Sequence, residues 1–155
     1  MKSNFNTFNF FLDNISQRFS AEPNLKNFLN DLTKAFQWSA SNLMMDSIHS
    51  PNGCAFLMRK NENASEAYFG FMYSIDQNDL SILWASILDQ SKALKIKLLK
   101  GPIQGTTFFP YRFISHTDNT HFFRGEYFSN KDENDFIKNQ HPSRILTYTS
   151  GLRSD

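Results

Sequence analysis

The amino-acid sequence predicts a single α/β domain built on a mixed, mainly antiparallel sheet flanked by helices. Three observations carry that expectation. The chain opens with two apolar stripes at helical spacing. Short apolar runs broken by turn residues follow, as in an antiparallel meander. A strand pattern at 66–75, a helix pattern at 79–94 and a strand pattern at 96–101 then form a unit that joins parallel strands through a right-handed crossover. A chain of 155 residues suits one domain with a full core. No internal repeat, low-complexity linker or second domain is evident.

Taken in order, Phe5, Phe8, Phe11, Leu12, Ile15 and Phe19 mark a helix over about 5–19. Ser20 to Pro23 break it, and Pro23 suits the first turn of a second helix. That helix is marked by Leu25, Phe28, Leu29, Leu32 and Phe36, and the pair should cover a sheet rather than bind a membrane. Residues 41–48 and 54–60 read as strands around a Ser50–Gly53 turn, and 61–65 as a second turn. Asn78 or Asp79 offers the cap of the crossover helix, and Lys92 and Lys95 favour its C-terminal dipole. Extended pieces are expected at 110–116 and 120–127, a short helix at 132–139 and a last strand at 144–149.

Composition narrows the function classes. A formal charge of +1 gives no global electrostatic case for nucleic acid or an anionic membrane. No apolar run is long enough to span a bilayer, and polar residues interrupt the N-terminus too often for a signal-peptide core. The single cysteine, Cys54, excludes an intrachain disulfide and fits a cytoplasmic, reducing setting. Seventeen phenylalanines either replace leucine in an ordinary core or line a cavity. The Asn-x-Ser triplets at Asn14 and Asn63 carry almost no weight without a signal peptide.

The segment from Lys97 to Phe113, KLLKGPIQGTTFFPYRF, is the densest in hydrogen-bonding groups. It leaves the second parallel strand through Gly101, Pro102 and Gly105, and ligands of open α/β sheets sit at such carboxyl ends. Gln104, Thr106, Thr107, Tyr111 and Arg112 are the candidate substrate-binding residues, and Gln104, Thr106 and Arg112 are expected to face one pocket or to build its wall. Arg112 either clamps a substrate carboxylate or ties the loop to backbone carbonyls. His116, Asp118 and His121 have metal-ligand chemistry but no recognised spacing, so no metal is assigned. Lys92, Lys95, Lys97 and Lys100 read as a solvated face rather than a phosphate site.

This order of elements is similar to the GCN5-related N-acetyltransferase fold. It most resembles a bacterial group of acetyltransferase-like proteins with a "GFFGFF" strand, a helix, "GP(I/M)NxST" and "YRF". Phe69-Gly70-Phe71, Gly101 to Thr107 and Tyr111-Arg112-Phe113 carry the likeness, with Glu126 to Asn130 and Ile145 to Thr149 in support. The resemblance spans roughly 54–150 and implies acyl transfer from acetyl-coenzyme A, or another acyl thioester, to an amine of a small molecule. It places the coenzyme pyrophosphate at Gln77, Asn78, Asp79, Leu80 and Ser81, where a helix N-terminus attracts anions. Tyr127 is then the candidate acid, and Glu126 and His116 the candidate bases. The chain departs from the family pattern in two places. The pyrophosphate loop contains no glycine and carries Asp76 and Asp79, and Gln104 replaces the motif's Asn. On the family's geometry, Asp79 either lies beside phosphate, so that Asp79→Gly strengthens coenzyme binding, or caps the helix with its carboxylate turned away. A catalytically inactive module of the same fold, binding a ligand or partner, is the alternative.

Overall fold

The structure, a computed structural model, describes residues 2–103 and 131–140. Helix α1 spans Lys2–Arg18 and α2 spans Leu25–Asn42. Strands β1 (Met44–Ser50), β2 (Gly53–Arg59) and β3 (Glu66–Tyr73) form the antiparallel meander. Helix α3 (Gln77–Ala93) leads to β4 (Leu98–Lys100), and α4 covers Lys131–Lys138. The described sheet has four strands in the order β1-β2-β3-β4. Strands β3 and β4 are adjacent and parallel, with Glu66 opposite Leu98 and Tyr68 opposite Lys100, as the crossover pattern predicts. The expected extended pieces at 110–116, 120–127 and 144–149 lie outside the described residues.

Several boundaries differ from the sequence expectation, each for a local reason. Helix α2 runs on to Asn42, so β1 begins at Met44 rather than near 41. The side chains of Thr33, Ser39 and Asn42 donate to the carbonyls four residues back, which lets polar residues continue the helix. Pro23 sits in the turn before α2, with Asn24 at the cap position. The cap of α3 is Asp76, earlier than Asn78 or Asp79: its carboxylate accepts from the Asp79 N–H at 2.8 Å. Helix α3 ends with Lys95 at φ 58° and the Ile96 N–H bonded to the Ser91 carbonyl, the geometry of a Schellman turn.

Two apolar layers cover the sheet, one on each face. Alternation along β2 divides its side chains: Cys54, Phe56 and Met58 meet α1 and α2, while Ala55 and Leu57 meet α3. The first layer is mostly aromatic, joining Phe8, Phe11, Phe28, Phe36, Phe56 and Phe71. The second combines Ile48, Phe69 and Met72 with Leu80, Leu83 and Ile87 of α3. The described phenylalanines of these layers fill core rather than a cavity, each worth about 1.5–3 kcal/mol of transfer free energy.

Strand β3 keeps both layers filled by means of a bulge. Cys54 faces Tyr73 and Phe56 faces Gly70, so three steps on β3 match two on β2. The extra residue is Phe71, held at φ 45°. Gly70 has no side chain, and the Phe71 ring joins Phe56 on the α1–α2 face, 6.1 Å between centroids.

Cys54 is fully buried, and burial is the main reason its thiol is pushed up from 9.0 to about 12. The Asp79 charge adds to that rise, and a backbone hydrogen bond at Tyr73 opposes it. A thiol reagent at pH 8 is therefore expected to label Cys54 only through unfolding. The sign of the pH dependence follows. The unfolded chain loses the thiol proton near pH 9 while the folded chain keeps it to about 12, so this contribution is complete below pH 9 and is lost as pH rises towards 12. Labelling in native buffer at the rate of a free thiol would show that the strand is not packed as described.

Candidate functional site

The turn from β3 into α3 is the described part of the candidate site. Asp76 caps the helix in extended conformation, at φ −152°, and also accepts the Leu80 N–H on its main-chain carbonyl. Asp79 is 4% exposed, and its carboxylate points inward. Its Oδ1 accepts from the Asn52 N–H at 3.0 Å and its Oδ2 from the Ile75 N–H at 3.4 Å. The carboxylate thus ties the β1–β2 turn to the start of α3. Gly53 makes that contact possible, because a Cβ there would lie 2.6 Å from the Asp79 carboxylate and 2.6 Å from the Tyr73 carbonyl.

Of the five residues expected at a pyrophosphate, Gln77, Asn78 and Ser81 are exposed, and Asp79 and Leu80 are buried. Asp79 does not lie with its carboxylate towards an outside ligand. The carboxylate is turned away, bonded to main-chain N–H groups of Asn52 and Ile75, but it does not cap the helix as that alternative expects, because Asp76 does. The N-terminal turn of α3 therefore carries two carboxylates of the chain itself, of which Asp76 takes the Asp79 N–H, and their charge opposes a phosphate at this helix end.

Among the described residues, β3 and β4 pair over Glu66–Tyr68 and Leu98–Lys100. One further bond runs from the Ile103 N–H to the Phe69 carbonyl at 2.8 Å. Gly101 permits that close approach, since a Cβ would meet the Phe69 ring at 2.5 Å. The expected substrate residues Gln104, Thr106, Thr107, Tyr111 and Arg112 lie outside the described residues. So do His116, Glu126 and Tyr127, and the His116, Asp118, His121 cluster. Lys92, Lys95 and Lys97 are exposed, and Lys100 pairs with Glu66 at 2.9 Å.

A second concave surface, not anticipated from the sequence, follows the outer edge of β1. It is a polar groove of about 500 Å³ lined by Asn4 of α1, Met45 to His49 of β1, and Ser86 and Gln90 of α3. The Asn4 side chain donates to the Met45 carbonyl at 2.9 Å, which places that carbonyl on the edge away from β2. By strand alternation Ser47 and His49 present their main-chain groups the same way. The His49 ring contacts the Thr7 hydroxyl at 3.2 Å. Asp46 is held by Arg59, 3.0 Å away. The sequence signal was slight: the polar residues of β1, Asp46, Ser47, His49 and Ser50, follow neither an alternation nor a motif.

Among the described residues, no helix is long and apolar enough to cross a membrane, and no group of His, Cys, Asp and Glu side chains is arranged to hold a metal ion. Comparison with family models, curated proteins and solved structures found no match for the chain.

Proposed function

We propose that the chain is an acetyltransferase-like binding module rather than a coenzyme A-dependent enzyme. One observation carries this reading: the carboxylates of Asp76 and Asp79 occupy the N-terminal turn of α3. An incoming pyrophosphate would meet the exposed Asp76 carboxylate there, with the buried Asp79 charge fixed behind it by main-chain bonds. The polar groove beside β1 supplies a separate surface for a ligand or partner.

Acyl transfer is the second reading, favoured by the parallel β3–β4 pair and its crossover helix. On that reading the thioester approaches where the β3–β4 ladder stops. Tyr127, Glu126 and His116 remain the proposed proton-transfer groups, Gln104, Thr106, Thr107, Tyr111 and Arg112 the proposed acceptor site, and a small-molecule amine the proposed acceptor. Thermal melting with millimolar acetyl-coenzyme A separates the two. The module reading expects no change in Tm. A rise that grows with ligand concentration would overturn it, because a ligand bound only to the folded state must stabilise that state.

A further inference from the structure

We infer that α4 is a detachable strap, latched across the carboxyl end of β3 by the ion pair between Arg18 and Glu133. The two residues come from opposite faces of the sheet. Arg18 ends α1, on the Phe36 face, whereas α4 packs through Phe136 and Ile137 into the layer shared with α3. They meet at 2.9 Å, with the Glu133 side chain 6% exposed. The second guanidinium nitrogen donates to the Ser74 carbonyl at 2.6 Å, and the guanidinium carbon lies 4.5 Å from the centre of the Tyr73 ring.

The position of this contact gives it meaning. Among the described residues, the β3–β4 ladder runs to Tyr68 and Lys100, and Ile103 adds a bond at Phe69. Strand β3 continues to Tyr73 beyond those pairs, and the ion pair bridges the two faces at Ser74, just past its end. Open α/β sheets bind ligands at this end of their strands.

Helix α4 depends on that latch for its order. At eight residues it is too short to be stable alone. Its described anchors are Glu133, Phe136 and Ile137, the last two only partly buried. A buried glutamate deprived of its arginine is an uncompensated charge, which favours release of the helix into water. Loss of the pair should therefore free α4 while the central strands stay folded. This inference holds for either reading of the function, since it concerns access to one end of the sheet.

Native-state hydrogen exchange on the full chain tests it. In the unaltered protein, the amides of 135–138 should exchange through an opening distinct from, and at least tenfold more frequent than, that of Phe56 to Met58 in β2. In Glu133→Gln, which keeps the shape and removes the charge, the α4 amides should exchange at least tenfold faster again, with Phe56 to Met58 unchanged. Arg18→Met should do the same, and the double variant should add little to either single change. Exchange of α4 only together with β2 in the unaltered protein would overturn the proposal, whether or not the variants fold. So would an α4 rate indifferent to Glu133→Gln.

Discussion

Replacing Asp79 by alanine is expected to destabilise the protein by roughly 2–4 kcal/mol and to create no affinity for coenzyme A. The carboxylate is buried and accepts from the Asn52 and Ile75 N–H groups. Its loss leaves those donors without their charged acceptor and unties the β1–β2 turn from α3. Asp79→Gly should be worse, since it adds the cost of glycine within a helix, about 1 kcal/mol. On the resemblance to acetyltransferases the same change would open a pyrophosphate site. Urea unfolding and titration calorimetry with acetyl-coenzyme A together decide between these. A stable Asp79→Gly protein that gains binding heat would restore the anion site, and a destabilised one without heat supports a structural carboxylate.

Phe36→Ala should cost about 3–5 kcal/mol, the range for emptying a buried aromatic site. Phe36 stacks on Phe8 at 3.9 Å between centroids and meets the edges or faces of Phe5, Phe56 and Phe71. Those rings come from α1, β2 and β3, so one side chain joins three elements to α2. Phe36→Leu refills most of the volume and should lose clearly less. Denaturant midpoints at unchanged slope would measure both. A Phe36→Ala protein within 1 kcal/mol of the parent would mean that the aromatic layer collapses to close the cavity.

Much of the fold was legible because burial writes a period into the sequence. Phe8, Phe11 and Ile15 repeat at helical spacing and are all buried. The strand, helix and strand around α3 gave the parallel pairing of Glu66–Tyr68 with Leu98–Lys100. The end of α2 was not legible: Ser39 lies past the last apolar marker and Asn42 falls within the expected strand, and only the structure shows their bonds to the carbonyls four residues back. The candidate site was legible only in part. The spacing located α3's start, but nothing in it says that Asp79 turns inward, because Asn52 and Ile75 approach it through the tertiary fold. The groove beside β1 joins Asn4 to Ser86 and Gln90, residues far apart in the chain with no local pattern to link them.

The doubled step at Gly70 and Phe71 makes β3 two half-strands in opposite phase. Tyr68 and Phe69 count from one origin, Met72 and Tyr73 from another. A strand of the same residues without the bulge would not simply straighten. Its two halves would share one count, and Met72 would turn towards the phenylalanines while Tyr73 turned towards α3. The last residues of β3 lead directly to Ser74, Asp76 and α3, so the same straightening would rotate the approach to the candidate site. A single inserted residue thus acts as the clutch between the aromatic half of the molecule and the half that carries the helix N-terminus.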